Sequence, residues 1–179
     1  MGHPRSDIDV IFSAEQISER LGGLAEEIAQ LKLDKLAIVA ILKGSFIFAA
    51  DLIRALHNVG MEPEVDFITL SSYGKSTVSS GTVDILRDVS IDVTGRNILL
   101  VDDVLDSGRT LAYAKDLLSA RGAESIRTCV LIEKDVGRAV DIKADFKAFK
   151  GPNVFVVGYG MDMSHRFRDL PFVGRVVSA

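Results

Sequence analysis

The residues best suited to chemistry lie close together in one stretch, residues 100–110. Two adjacent carboxylates, Asp102 and Asp103, follow an apolar run, and a third carboxylate, Asp106, begins a small polar turn. Free N–H groups and hydroxyls at such a turn, just before a helix, can bind a phosphate group. The three carboxylates would repel that phosphate unless they bind sugar hydroxyls and divalent cations instead. The stretch therefore predicts a site for a magnesium-bound sugar phosphate.

A purely structural alternative is that these acids cap the N-terminus of the following helix. One capping Asp would be enough for that purpose. The pair Asp102–Asp103 lies too far upstream of the helix to cap it, so this alternative leaves two of the three carboxylates unexplained.

The elements that must position this stretch predict an α/β fold with a central, mainly parallel sheet flanked by helices. Short apolar runs are typical of strands buried on both faces, and they alternate here with segments of helical periodicity. Ser13 and Gln16 form a capping box before one such segment, whose apolar face is expected to comprise Ile17, Leu21, Leu24, Ile28 and Leu31. We predict further helices at 46–56 and 110–121, buried strands at 37–42, 65–70, 98–101, 126–132 and 154–157, and an exposed strand near 83–86.

Composition narrows the classes of function. The 179 residues suit one domain, and apolar residues make up 47%, enough for a buried core. The net charge of −4 disfavours general nucleic-acid binding, and no apolar stretch approaches the roughly 18 residues of a membrane span. The lone cysteine, Cys129, lies in an apolar run and is compatible with a reducing compartment. We therefore expect a single domain over 1–179, located in the cytoplasm, with neither nucleic acid nor membrane as a partner.

Residues 100–110 resemble the phosphoribosyl pyrophosphate signature of the type I phosphoribosyltransferases. Both have two acids after apolar residues and then Asp-Ser-Gly-x-Thr between a strand and a helix. Three further segments resemble the hypoxanthine-guanine branch of that family: residues 42–45, residues 71–74, and residues 155–162 with 167–170. They occur in the same order as in that branch, and the resemblance covers nearly the whole chain. The resemblance implies the type I phosphoribosyltransferase fold, with a flexible loop at about 71–81 and a small hood lobe built partly from 146–179.

The implied activity is transfer of the 5-phosphoribosyl group from phosphoribosyl pyrophosphate to N9 of hypoxanthine and guanine. The products would be IMP or GMP and pyrophosphate, in purine salvage. The resemblance also implies Mg²⁺ as cofactor and a homodimer or homotetramer. The sequence does not rank hypoxanthine, guanine and xanthine as substrates.

The resemblance assigns a role to each matching position, and Asp106 is the expected acid/base at the purine N7 position. The Leu42–Lys43 peptide is expected to be cis. The ribose and 5′-phosphate would contact Asp102, Asp103, Asp106, Ser107, Gly108, Arg109 and Thr110. Pyrophosphate would contact Lys43, Gly44, Ser72, Tyr73 and Arg168. The purine would contact Lys134, Phe155, Val156 and Asp162. The metal ligands would be Asp102, Asp103 and Asp162.

Two positions depart from the pattern of the branch. Asp102 stands where the branch usually has Glu, and its arm is about one methylene shorter, so its contact with ribose would run through water. Met163 stands where the branch usually has an aromatic residue, which changes the expected packing beside Asp162.

Two other classes of protein share parts of this pattern. A bacterial attenuation protein of the pyrimidine pathway uses the same fold to bind RNA, but it typically has Tyr at the position of Asp106 and lacks the segment 157–162. A receiver-type signalling domain also pairs two acids with a lysine, but its acids follow the first strand. Asp102 and Asp103 follow at least two earlier strands.

Overall fold

A computed structural model describes residues 8–72 and 83–177. The expected contact Tyr73 and most of the expected loop at 71–81 lie outside the described residues. No helix in the described ranges is long and apolar enough to cross a membrane.

The centre of the fold is a six-stranded sheet that is parallel except at one edge. Its strands follow the order β4-β3-β2-β5-β6-β7, and only β4 runs antiparallel to its neighbour β3. A separate two-stranded antiparallel sheet pairs β1 with β8. The strands are β1 (Ile8–Phe12), β2 (Leu36–Leu42), β3 (Glu64–Ser72), β4 (Val83–Arg87), β5 (Asn97–Leu105), β6 (Ser125–Lys134), β7 (Phe146–Gly151) and β8 (Val173–Val176).

Three helices cover the two faces of the central sheet: α1 (Ala14–Ala29), α2 (Phe46–Asn58) and α3 (Arg109–Ala120). Successive residues of a strand point to opposite faces, so Ile38 and Ala40 of β2 pack with α1 and α2, whereas Val39 and Ile41 pack with α3. Burial on both faces explains why β2 is wholly apolar. The parallel α/β architecture predicted from the apolar runs is confirmed.

Helix α1 begins as predicted but ends earlier than expected. The backbone N–H of Ser13 donates to Gln16 Oε1 at 2.8 Å, and the N–H of Gln16 donates to Ser13 Oγ at 3.3 Å, which completes the capping box. Leu31 lies beyond the helix and is exposed. Its assignment to the apolar face was wrong because the helix stops at Ala29.

The strand expected at 154–157 is absent from the described structure at that place. Only Val157 makes a bridge, to Gly174 of β8, with N–H···O distances of 2.8 and 2.9 Å. Val156 and Val157 are buried by side-chain packing rather than in a strand of the sheet, and Phe155 is exposed. The last strand of the central sheet is β7 (Phe146–Gly151), at the edge opposite β4, so the chain leaves this sheet after Gly151.

Candidate active site

The carboxyl ends of the parallel strands place most of the predicted site residues at one edge of the sheet. Lys43 follows β2, Asp106 follows β5, and Lys134 ends β6. In open α/β sheets this edge is where ligands bind. The parallel topology therefore brings together side chains that are far apart in sequence.

The turn between β5 and α3 presents a helix N-terminus to this edge. Gly108 is the N-cap, with φ of +81°, and no side chain caps the helix. A Cβ at this position would come within 2.6 Å of Ile142 Cγ2 and 3.3 Å of the carbonyl oxygen of Val140. The position therefore requires glycine. The N–H of Arg109 lies 3.5 Å from Ser107 Oγ, and the other first-turn N–H groups of α3 remain available for an anion.

Asp102, which is buried, and Asp103, which is half-buried, form a pair of adjacent carboxylates beside this turn. The N–H of Asp103 donates to Asp102 Oδ1 at 2.9 Å, and the N–H of Val104 donates to Asp103 Oδ1 at 2.7 Å. Burial raises the pKa of Asp102 well above its usual value, and the neighbouring charge of Asp103 raises it further. Burial also raises the pKa of Asp103, although the N–H of Val104 and the charge of Arg168 oppose this. A cation between the two carboxylates would offset both costs.

The turn after β2 packs directly on Asp103. The Leu42–Lys43 peptide is cis, as expected, and a Cβ at Gly44 would overlap the carboxylate of Asp103. Ser45 is buried, and its hydroxyl donates to the carbonyl oxygen of Ile41 at 2.5 Å. Gly44 is therefore required for the close approach of this turn to the carboxylate pair.

Arg168 closes the opposite side of the site and is paired with Asp162. Its Nη2 lies 2.7 Å from Asp162 Oδ1, and its Nη1 donates to the carbonyl oxygen of Gly160 at 2.6 Å. Asp162 Oδ2 also accepts from the N–H of His165 at 2.7 Å. Gly160 has φ of +99°, and a Cβ there would overlap the carbonyl oxygen of Gly44. This contact ties the segment around Asp162 to the turn after β2.

Asp162 does not join the carboxylate pair. Within residues 8–72 and 83–177, no three side chains of His, Cys, Asp or Glu come together as a metal site. The three expected metal ligands, Asp102, Asp103 and Asp162, therefore do not form one cluster.

Two adjoining cavities share the boundary formed by Lys43, Gly44 and Asp103. The first, of about 260 Å³, is also lined by Asp102, Asp106, Ser107, Gly108 and Thr110. The second, of about 390 Å³, is lined by Phe155, Val156, Asp162 and Arg168, among others. A larger cavity of about 800 Å³ lies between α1 and α2 and shares only Arg168 with these two. The chemistry-bearing side chains therefore converge on the two smaller cavities.

Lys134 and Arg109 line neither of these cavities. Lys134 is nevertheless buried, and its Nζ lies 3.2 Å from Asp106 Oδ2 at the mouth of the first cavity. The side chain of Arg109 is exposed on the first turn of α3. Ser72 ends β3.

Several apolar residues of the second cavity were not predicted from the sequence. Leu86 is large, apolar and 65% exposed, and it lines this cavity together with the predicted residue Phe155. Leu86 lies on the edge strand β4, and nothing in the sequence marks it as a cavity residue. Val104 and Met161 also line the cavity, but in the sequence they look like ordinary core residues.

Comparisons with known proteins identify the family. Residues 7–164 match the family model described as phosphoribosyl transferase domain. The chain is 43% identical over 172 residues to the hypoxanthine-guanine phosphoribosyltransferase of Bacillus subtilis, covering 95% of this chain and 94% of the relative. The chain belongs to the hypoxanthine-guanine phosphoribosyltransferase family. The predicted family and fold are confirmed, and the chain is a phosphoribosyltransferase.

Other relatives and solved structures agree with this assignment. The hypoxanthine-guanine phosphoribosyltransferase of Dictyostelium discoideum is 38% identical over 170 residues, or 94% of both chains. A crystal structure of a hypoxanthine-guanine phosphoribosyltransferase from Bacillus anthracis, with HEPES in its active site, has a TM-score of 0.88 and 38% identity, covering 96% of this chain and 100% of that one. A ternary substrates complex of the Trypanosoma cruzi hypoxanthine phosphoribosyltransferase has a TM-score of 0.88 and 33% identity, covering 97% of each chain.

Proposed function

We propose that this phosphoribosyltransferase transfers the 5-phosphoribosyl group of phosphoribosyl pyrophosphate to N9 of hypoxanthine and guanine, forming IMP or GMP for purine salvage. The main support for this proposal is that two adjoining cavities share Asp103 as a lining residue. One cavity holds an uncapped helix N-terminus and the adjacent carboxylates. The other holds the exposed aromatic ring of Phe155. This arrangement suits a sugar phosphate beside a flat base.

The first cavity is the proposed site of the ribose 5-phosphate. The N–H groups and hydroxyls of residues 106–110 would bind the 5′-phosphate, because the helix N-terminus favours negative charge. Asp102 and Asp103 would accept hydrogen bonds from the ribose 2′ and 3′ hydroxyls. The carboxylates and the anion site thus serve different parts of one substrate.

The turn after β2 and Arg168 are the proposed contacts of pyrophosphate. Lys43 and Gly44 line both cavities, so their backbone N–H groups are the proposed donors to pyrophosphate. The guanidinium of Arg168 would supply positive charge from the other side. Ser72 and Tyr73 complete this set in the proposal. Arginine suits this place because its planar group can donate two hydrogen bonds to a phosphate.

Magnesium is the proposed cofactor, and the residues present fit it. Asp102 is buried, the adjacent Asp103 is half-buried, and both carboxyls have raised pKa values. In the described ranges no Lys, Arg or His nitrogen lies within 4.0 Å of either carboxylate. Such hard oxygen ligands suit Mg²⁺ with water left in its shell. When bound, the ion would neutralise charge on pyrophosphate. Asp162 would contribute to a second ion from the far side of pyrophosphate.

The reaction breaks the bond between C1′ and pyrophosphate and forms a bond between C1′ and N9 of the purine. The purine must lose a ring proton as N9 attacks. Asp106 is the proposed acceptor of a proton at N7, and general-base catalysis of this kind typically contributes about 10²–10⁴ in rate. The electron pair of the broken bond leaves with pyrophosphate.

The purine is proposed to stack on Phe155 of the second cavity, with its O6 and N7 edge turned toward Asp106 and Lys134 at the mouth of the first cavity. Its O6 would accept from the ammonium of Lys134, which can donate but cannot accept a hydrogen bond. The backbone of Val156 would accept from ring or exocyclic N–H groups. Adenine carries an amino group instead of O6, so its binding would leave the ammonium unpaired.

The direct test is an assay with phosphoribosyl pyrophosphate, Mg²⁺ and one purine at a time. We expect nucleotide from hypoxanthine and guanine and strong rejection of adenine. Adenine used as well as hypoxanthine would contradict the assignment of Lys134. The assembly is proposed to be a homodimer or homotetramer, which sedimentation of the same sample would measure.

A further inference from the structure

Glu133, the residue before Lys134 on β6, has a buried carboxylate that holds three groups. Its Oε1 accepts from Arg138 Nη2 at 3.0 Å and lies 3.4 Å from the N–H of Ala144. Its Oε2 accepts from Lys147 Nζ of β7. Only 9% of its side chain is exposed. Burial alone would raise the pKa of Glu133, but the hydrogen bonds from Lys147 and Ala144 and the two nearby cations hold it below its usual value.

Arg138 links this carboxylate to the backbone of Lys134. The same Nη2 that contacts Glu133 also donates to the carbonyl oxygen of Lys134 at 3.1 Å. The guanidinium is mostly buried, with 17% of its side chain exposed. The chain after β6 therefore folds back on the last residue of the strand and is held there by a charge-assisted contact.

This restraint fixes the backbone of Lys134, from which its side chain extends into the site. Its side chain is 8% exposed, and Nζ reaches Asp106 at 3.2 Å. A lysine side chain has many rotamers and loses considerable entropy when it is fixed. The direction of its ammonium therefore depends on a fixed backbone at the end of the strand. Because the end of a strand has fewer interstrand hydrogen bonds than its middle, the contact from Arg138 supplies additional restraint there.

We propose that Glu133 is a positioning residue for purine recognition, acting through Arg138 on the backbone of Lys134. The inference rests on the proposed function, because it takes Lys134 as the residue that reads O6. Glu133 itself touches no substrate in this proposal. Its loss should therefore affect binding of the purine more than binding of phosphoribosyl pyrophosphate.

Asp145 offers a matched control for a purely structural role. Its Oδ2 accepts from the N–H and hydroxyl of Thr128 at 2.8 and 2.9 Å. It ties the same connection between β6 and β7 to the middle of β6, away from Lys134. Asp145→Asn should lower the melting temperature as Glu133→Gln does, but without an effect on the purine.

The test measures KM for hypoxanthine and for phosphoribosyl pyrophosphate in the wild type, Glu133→Gln, Arg138→Met and Asp145→Asn. We expect the hypoxanthine KM to rise about tenfold in Glu133→Gln and Arg138→Met, because a displaced ammonium would weaken its charge-assisted hydrogen bond to O6. We expect the KM for phosphoribosyl pyrophosphate to rise clearly less than the KM for hypoxanthine, because the network meets the proposed phosphate turn only through the contact of Lys134 with Asp106. The double variant Glu133→Gln, Arg138→Met should be no worse than either single one, because both act through one contact.

A hypoxanthine KM unchanged in Arg138→Met, or raised equally by Asp145→Asn, would overturn the positioning role. If Glu133→Gln does not fold, Arg138→Met still tests the positioning role. Lys134→Met separates the two proposals. If it leaves hypoxanthine kinetics unaltered, the proposed role of Lys134 is wrong; if it raises the hypoxanthine KM while Glu133→Gln and Arg138→Met do not, only the positioning role fails.

Discussion

The ammonium of Lys134 lies 3.2 Å from Oδ2 of Asp106, although the two residues are 28 positions apart. Lys134 ends β6 and Asp106 follows β5, and these strands are parallel neighbours. The pair therefore marks the point where the proposed base-reading donor meets the proposed proton acceptor. O6 and N7 are neighbouring atoms on the edge of a 6-oxopurine, so one ligand could contact both residues.

Replacement of Asp106 by Asn should slow the chemical step. Asn keeps the shape of the side chain but cannot accept the purine proton as a carboxylate does. We expect the single-turnover rate to fall by about 10²–10⁴. Asp135→Asn, at an exposed carboxylate beyond β6, is the control and should leave the rate unchanged. Because product release can limit turnover, rapid-quench kinetics are required, and an unchanged single-turnover rate would leave Asp106 without a catalytic role.

Replacement of Lys134 by Met should weaken discrimination between bases. Met fills a similar volume but cannot donate to O6. A site built to hydrogen-bond one substrate group can reject an analogue lacking it by about 10⁴–10⁵, so kcat/KM for hypoxanthine should fall far more than that for adenine. Lys150→Met, at an exposed lysine of β7, is the control. Unaltered hypoxanthine kinetics in Lys134→Met would refute the assignment.

Replacement of Gly108 by Ala should damage both stability and substrate binding. A non-glycine residue in the left-handed region costs roughly 1–3 kcal/mol, and the new Cβ would also press on Ile142. Gly60→Ala is a matched control, because Gly60 has φ of +83° and no heavy atom within 4 Å of the position of its Cβ. We expect Gly108→Ala to lose more unfolding free energy than Gly60→Ala in urea, and only Gly108→Ala to raise the KM for phosphoribosyl pyrophosphate. Equal effects of both changes would show that the turn contributes backbone strain alone.

Replacement of Arg168 by Gln should raise the KM for phosphoribosyl pyrophosphate more than the KM for the purine. The change removes a cation beside the boundary of the two cavities and frees Asp162 from its 2.7 Å contact. Arg166→Gln is the control, because Arg166 lies over the ring of Phe167 and lines neither cavity. Steady-state kinetics with each substrate varied in turn measure the difference, and a larger effect on the purine would be contrary to the assignment.

The single cysteine should react with a thiol reagent only when the chain unfolds. Burial raises the pKa of the Cys129 thiol far above its usual value, and the thiolate is the reactive form. Since the thiol stays protonated below its pKa, raising the pH from 7 to 9 should barely accelerate modification of the native protein. In the unfolded chain, modification of Cys129 should become faster as the pH approaches the ordinary thiol pKa of about 8.5. Fast modification of native protein at pH 9 would show that Cys129 is accessible.

The strands of the central sheet could be predicted where both faces are buried, because their residues are then almost all apolar. That condition holds for β2 and for the middle of β5 and β6. It fails for β1 and β8, whose pairing joins distant parts of the chain, as the ion pair between Arg175 and Asp9, 166 positions apart, illustrates. The run 154–157 was misread because its burial comes from packing, and three residues with positive φ follow it at 158–160.

The candidate site was predictable where its residues are local in sequence. The carboxylate pair and the turn at 106–110 occupy one strand end, so their types and order were enough. The fit of Gly44 against Asp103 and the pairing of Arg168 with Asp162 depend on tertiary placement. Leu86 was missed because an apolar residue on an edge strand has no pattern that distinguishes a cavity wall from an incidental exposure.

The most direct test of the account is the stoichiometry of one reaction. Purified chain would be incubated with phosphoribosyl pyrophosphate, hypoxanthine and Mg²⁺, and IMP and pyrophosphate would be quantified together by ³¹P NMR and chromatography. The account predicts equal amounts of both products, and neither product when a chelator removes the metal. Pyrophosphate and ribose 5-phosphate released without IMP, or no reaction with Mg²⁺ present, would contradict it.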